Sequence, residues 1–300
     1  MLWAVRIVSL VPSATETLFA LGLGDEISAV THECDWPEEA LELPQVTSDR
    51  IGAGLSAGEI DAAVRRQTED GEAIYELDEE ALAEAEPDLI VTQALCAVCA
   101  VSHDEVVAVA ARLPSQPRVI ALDPRTLGEV LGDVRILAEA TDRRDAGVDL
   151  VAAAAARIDA VRLAVREAEP VGVVALEWLD PVYAAGHWTP QLIELAGGLD
   201  LLGLPGEHSR VVSWEEVRAA RPEVVVVMPC GYDAERSLQE AESFADELRG
   251  LGASRVVAVD AAAHFSRPGP RLIEGLEVLA HVLHPDRVPE VPVAPLEVEM

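Results

Sequence analysis

The feature that most constrains this chain is an alternation. Short runs rich in Val, Ile and Leu, at Val5–Leu10, Glu26–Thr31, Leu89–Gln93, Val119–Asp123, Val171–Glu177, Val224–Met228 and Val256–Asp260, are separated by stretches with helical signals. Strand followed by helix in repetition has few solutions, because parallel neighbours need a crossover and crossover helices cover both sheet faces. The spacing therefore predicts an α/β protein with mainly parallel sheets. Helix starts are marked at Ser13–Glu16, Ser102–Glu105, Thr126–Glu129 and Ser213–Glu216, which have capping-box spacing, and at Thr189-Pro190.

After Gly147 no Gly or Pro occurs until Pro170. A helix of about 25 residues between Arg143 and Glu169 would be roughly 37 Å long, more than one crossover on one sheet requires. The reading is two Rossmann-like lobes, residues 1–142 and 170–284, joined by a single long helix over 143–169. Beyond His284, Pro285, Pro289, Pro292 and Pro295 fall among acidic residues, and 285–300 is expected to be a solvated or loosely draped tail.

Charge narrows the function. There are 54 acidic and 22 basic residues, a net −32, and every basic residue is Arg, with Lys and Asn absent. Such a polyanion repels phosphate backbones and anionic lipid, which argues against nucleic acid and membrane surfaces as partners. It suits a halophilic, salt-rich cytosol, where ions screen self-repulsion. GC-rich codon usage is the alternative, and it accounts for the missing Lys and Asn better than for the excess of Asp and Glu. No apolar run reaches the ~18 residues of a transmembrane segment, and the first strand begins where an export leader would lie. As written, the chain is expected in the cytoplasm, or outside it if its start is truncated. In a reducing compartment Cys34, Cys96, Cys99 and Cys230 would be thiols or metal ligands rather than disulfides.

Ligands of open parallel sheets bind beyond the carboxyl ends of the strands. The residues placed there include His32, Cys34 and Trp36; Cys96 and Cys99; Glu177, Trp178, Tyr183, His187 and Trp188; Cys230 and Tyr232; and His264, Phe265, Ser266 and Arg267. Aromatic residues make up only 4% of the chain, so their collection at strand ends fits a cleft for a flat or bulky ligand as well as plugs at the ends of the lobes. Cys96-x-x-Cys99 with Cys34 and Cys230 offers thiolates to zinc or an iron–sulfur cluster, while buried structural thiols are the ordinary alternative. His32, His187, His208 and His264 could ligate a metal or a polar group, whereas His281 and His284 read as helix C-terminal charges. No G-x-S-x-G elbow, P-loop or G-x-G-x-x-G occurs, so hydrolase and phosphate-cradle readings have little support.

These strings carry a resemblance. Arg6 to Gly24 (RIVSLVPSATETLFALGLG), Cys34-Asp-Trp-Pro37, Glu86-Pro-Asp-Leu-Ile-Val91 and Ser266-Arg-Pro-Gly-Pro-Arg-Leu272 resemble the substrate-binding proteins of cobalamin and iron-siderophore ABC importers, from Arg6 to about His284. More narrowly, Leu95–Ala100, Glu177-Trp-Leu-Asp-Pro181, Gly186-His-Trp188 and Met228-Pro-Cys-Gly231 are similar to a cysteine-bearing subgroup labelled cobalamin-binding. The resemblance implies two Rossmann-like lobes bridged by a long helix, and a rather rigid cleft whose aromatics grip a corrin ring. Here that role would fall on Trp36, on Trp178 or Tyr183, and on Phe265. It also implies one surface glutamate per lobe docking onto permease arginines, at Glu80 and Glu215, each seven residues before a proline, Pro87 and Pro222.

The leading expectation is thus a non-enzymatic binder of a corrinoid, for transport or intracellular handling, with Trp36, Glu177, Trp178, Tyr183, His187, Trp188, Phe265, Ser266 and Arg267 as ligand contacts. The alternatives are a metal- or thiol-dependent enzyme, or a zinc or iron–sulfur protein, on the same scaffold, and a haem or siderophore binder.

Overall fold

The computed structural model of the chain describes residues 5–52, 54, 55, 57–70, 73–94 and 101–299, so Cys96 and Cys99 lie outside the described residues. The elements of the first half are β1 (Ile7–Ser9), α1 (Pro12–Ala20), β2 (Ile27–Val30), β3 (Thr47–Asp49), α2 (Ala57–Asp70), β4 (Tyr75–Leu77), α3 (Glu79–Glu84), β5 (Leu89–Gln93), α4 (His103–Ala110), β6 (Arg118–Leu122), α5 (Leu127–Ala140) and α6 (Arg144–Val165). The second half continues with β7 (Val171–Leu179), β8 (Val182–Ala184), α7 (Thr189–Leu195), β9 (Gly198–Asp200), β10 (Arg210–Val211), α8 (Trp214–Ala220), β11 (Val224–Val227), α9 (Ala234–Ser243), α10 (Ala245–Arg249), β12 (Arg255–Ala258), α11 (Ala261–His264), α12 (Leu272–Leu283) and β13 (Leu296–Glu297). The chain divides into two compact units: residues 1–124 with 131–151, and residues 125–130 with 152–300. The last division falls inside α6, which is 22 residues long.

Each unit is an α/β fold around a parallel sheet. In unit 1 the strand order is β2-β1-β5-β6, all parallel. In unit 2 the parallel strands run β9-β7-β11-β12, the same order, with β8, β10 and β13 added antiparallel. Why these strands sit inside is plain from their residues. Val224–Val227 is buried throughout. In unit 1 Ile7, Leu89 and Val91 pack into one apolar cluster, with Leu18, Val134 and Leu137, while their neighbours Val8 and Ile90 pack into another, with Leu82, Val106 and Val109. Side chains alternate across a strand, so apolar residues on both sides demand helices on both faces.

One device fixes both sheets. Asp88 donates its backbone N–H to the Arg6 carbonyl and accepts Arg118 N–H on its own carbonyl, both at 2.9 Å, while its carboxylate accepts Arg6 N–H at 2.9 Å. Glu223 does the same in unit 2: its N–H reaches the Gly172 carbonyl at 2.8 Å, its carbonyl takes Ser254 N–H at 2.9 Å, and its carboxylate takes Gly172 N–H at 3.0 Å. Both residues follow a proline, and that proline follows a residue in left-handed conformation, Glu86 at φ 43° and Arg221 at φ 52°. A single acidic residue therefore clasps three adjacent strand starts in each unit.

The structure departs from the sequence expectation in details with identifiable causes. Strands β3, β4, β8, β9, β10 and β13 were not foreseen, because two or three residues cannot display a period. Capping boxes close at Ser213–Glu216 and Thr126–Glu129 but not at Ser13 or Ser102. Helix α1 starts at Pro12, whose fixed φ suits a first turn, and this puts Ser13 inside the helix. The Pro-rich segment after His284 is not simply draped: β13 pairs with β12 and Val298 is buried, closing an edge that would otherwise be open.

Replacing the clasp acceptor isolates its contribution. Asp88→Ala and Glu223→Ala are each expected to lower unfolding free energy by about 1 kcal/mol, with Glu223→Gln close to wild type because an acceptor oxygen is kept. Urea denaturation of the three variants checks this.

Candidate functional site

The strand order places a topological switch point between β1 and β5 in unit 1 and between β7 and β11 in unit 2, and in open α/β sheets ligands bind beyond the carboxyl ends of the strands at such points. In unit 2 the residues there are connected to one another. Trp178, near the end of β7, stands opposite Tyr183 of β8 in register, and packs edge-on to Tyr232, ring centroids 5.5 Å apart. The loop after β11 is tied to β7 through Cys230 N–H and the Glu177 carbonyl at 3.1 Å. It is tied to the loop after β12 by Ala262 N–H on the Tyr232 carbonyl at 3.0 Å and Gly231 N–H on Ser266 Oγ at 3.4 Å. Arg236, one helical turn after Tyr232, lies over that ring at 3.7 Å, a cation–π contact. Glu240 follows a further turn on; burial pushes its carboxyl up, against the pull of Arg236. Burial likewise raises the Tyr232 phenol. The Trp178 indole N–H is buried with no hydrogen-bond partner among the described residues.

Behind these groups stands a supporting layer. Trp188 and Phe265 are 4% and 2% exposed, and the Trp188 indole donates to the Phe265 carbonyl at 2.8 Å. They anchor loops rather than present faces. Helix α12 approaches closely at Gly275, where any side chain would overlap the His264 carbonyl oxygen. His264 itself is buried, its Nδ1 3.4 Å from a Glu274 carboxylate oxygen. Desolvation lowers its pKa below the usual histidine value, outweighing the carboxylates of Glu274 and Asp260. The ring is neutral at pH 7, and the contact is not an ion pair there.

Unit 1 offers a smaller set. Cys34 is 1% exposed, with its sulfur 3.0 Å from Thr15 Oγ1, which donates to Ser9 Oγ at 2.8 Å. His32 Nδ1 lies 2.7 Å from Thr47 Oγ1, and its ring is tilted against Tyr75 at 5.3 Å. Trp36 is 49% exposed, an indole face open to solvent. Glu80 and Glu215 are exposed at the same second position of α3 and α8, whose N-caps are Asp78 and Ser213.

The cysteine expectation gains no support. Among the described residues no group of three or more His, Cys, Asp or Glu is placed to hold a metal ion. Cys34 is buried in unit 1, Cys230 is exposed in unit 2, and Cys96 and Cys99 lie outside the described residues. The sequence expectation includes Tyr232 among the strand-end residues but not among the ligand contacts, and it omits Arg236, Glu240 and Thr15; the four-residue spacing of Tyr232, Arg236 and Glu240 is the signal available.

The sequence profile described as periplasmic binding protein matches residues 7–253. The chain belongs to that family. Among curated relatives, the vitamin B12-binding protein of Vibrio cholerae serotype O1 is 25% identical over 290 residues, 91% of this chain and 87% of the relative. Among solved structures, the periplasmic vitamin B12 binding protein BtuF of Vibrio cholerae superposes with TM-score 0.66 at 22% identity, covering 92% of this chain and 94% of that one. The periplasmic heme-binding protein RhuT from Roseiflexus sp. RS-1 superposes with TM-score 0.66 at 25% identity, covering 92% and 97%. Among the described residues no helix is long and apolar enough to cross a membrane.

Family membership overturns the cytoplasmic expectation. These relatives are periplasmic, hence extracytoplasmic, proteins. The expectation rested on where the sequence begins, which does not decide the compartment. The arguments from a salt-rich cytosol and from reducing conditions fall with it.

The buried neutral His264 makes stability pH-dependent. Its folded pKa lies below the unfolded value near 6.5, so the unfolded chain binds the proton more readily. Its contribution is present above about pH 6.5 and is lost as pH falls below that. Urea midpoints at pH 7 and pH 5 are expected to fall further apart in wild type than in His264→Gln.

Proposed function

We propose that this chain is the ligand-binding component of an ABC importer and that its ligand is a corrinoid. The observation that carries the reading is the likeness to the vitamin B12-binding protein of Vibrio cholerae, which runs through 91% of the chain rather than one motif. The chemistry of the strand-end residues supports it. Within unit 2, Trp178 and Tyr183 offer large apolar faces with few rotatable bonds, suited to a rigid ring, and within unit 1 the exposed Trp36 is a residue of the same kind. The indole N–H of Trp178 and the polar groups of Glu177, His187, Ser266 and Arg267 suit the amides around a corrin. Trp188 and Phe265 act as the layer that holds these loops. Glu80 and Glu215, exposed at equivalent helix positions, are the proposed contacts to arginines of a permease.

A second reading, haem, is favoured by the likeness to RhuT, a heme-binding protein at 25% identity. One titration separates the two. Cyanocobalamin is expected to bind with micromolar or tighter affinity by calorimetry, and Trp178→Ala to weaken it at least tenfold, about 1.4 kcal/mol. Tight binding of haemin with none of cyanocobalamin would select the second reading, and silence with both would overturn the two together.

A further inference from the structure

His187 and His208 are brought together by a pairing of loops. Strands β8 and β10 are antiparallel, with Arg210 opposite Ala184, and the pairing continues past their ends. His187 N–H donates to the Glu207 carbonyl at 2.6 Å, and Gly206 N–H donates to the His187 carbonyl at 2.9 Å. Gly186 is required there, since a Cβ would lie 2.5 Å from both the Glu207 carbonyl oxygen and the Ser209 nitrogen. His187 is held at φ 53°, a conformation costly for a residue with a side chain. On the far side, Asp200 Oδ1 accepts Leu202 N–H at 2.9 Å and Gly203 N–H at 2.6 Å, fixing the start of the loop that carries His208.

The result is two imidazole nitrogens, His187 Nε2 and His208 Nδ1, 3.1 Å apart with their rings nearly perpendicular. That separation suits a shared metal ion. An ion bound to both at about 2.0–2.1 Å would subtend an N–metal–N angle of about 100°, between the octahedral cis angle and the tetrahedral angle. At this distance one facing nitrogen can donate a hydrogen bond to the other, and a metal ion takes the place of that proton when both facing nitrogens present their lone pairs and each ring carries its proton on the remaining nitrogen. His208 is exposed, which leaves room for water to complete the coordination sphere.

We propose that His187 and His208 form a two-imidazole chelate for a late first-row divalent ion such as copper, nickel or zinc, the metals that imidazole donors suit. Both histidines lie in unit 2, and the chelate does not depend on the corrinoid reading.

The test uses the full chain, stripped with a chelator and kept in 0.5 M salt to suppress weak binding by surface carboxylates. Copper(II) is added as the probe and followed by calorimetry and electron paramagnetic resonance. Wild type is expected to take one tight equivalent at micromolar or better affinity, with two nitrogen donors in the resonance spectrum. His187→Ala and His208→Ala should each weaken it at least tenfold, and His208→Gln on the exposed loop should do the same without changing the thermal midpoint. Undiminished affinity in the His208 variants, a spectrum dominated by thiolate, or no binding to wild type at 1 mM would each overturn the chelate. If cyanocobalamin binding fails while the copper site persists, only the corrinoid reading falls.

Discussion

The carboxylate clasp at Asp88 and Glu223 sets the rest of the structure. It ties three adjacent strand starts at one edge of each sheet, using a backbone N–H, a carbonyl and a side-chain acceptor from one residue. Parallel strands fixed in register at their starts must also end in register, so the loops leaving β7, β11 and β12 emerge side by side. The clasps hold the strand starts while buried Val and Ile run the length of the strands, and the loops with the aromatic and polar side chains leave the opposite ends. This is why Trp178, Tyr232 and Ser266, far apart in sequence, belong to one connected set.

That set is rigid for a further reason. Its loops bond to one another and not only to their own strands: Cys230 to Glu177, Ala262 to Tyr232, Gly231 to Ser266, and Trp188 to Phe265. Tyr232 is itself only 3% exposed, with Arg236 over its ring, so it braces Trp178 from behind, and loops held this way keep their geometry. The cost lies inside the unit, in the neutral buried His264 and the raised carboxyl of Glu240.

How much of this was legible in the sequence follows from what each signal requires. The seven long apolar runs all became strands, because burial on both faces leaves an unbroken Val and Ile signature. The order of the strands was not readable, nor were two- and three-residue strands such as β10, which are made by their partners. Glu177 and Trp178, expected at and just beyond the end of a strand over Val171–Glu177, lie inside β7, which runs on to Leu179, and Tyr183 lies inside β8, because the two strands prolong each other by antiparallel pairing that no run of apolar residues announces. Trp188 and Phe265 were read as ligand contacts from position in the chain, and the structure shows them turned into the packing; direction of a side chain in a loop is set by tertiary contacts. Arg236 escaped notice because its role exists only once the Tyr232 ring lies beneath it.

The compartment changes the meaning of the cysteines. A reducing cytoplasm makes thiolate chemistry the natural use for all four. In a periplasmic family that premise is gone, and the two described thiols separate by environment. Cys34, buried and 3.0 Å from a threonine hydroxyl in a chain that runs on to Ser9, is held as a small packed hydrophobe with a satisfied polar contact. Cys230 is exposed on the loop after β11, which its own N–H ties to the Glu177 carbonyl, and there it is open to soluble oxidants. Reactivity follows exposure, so of these two thiols Cys230 is the accessible one.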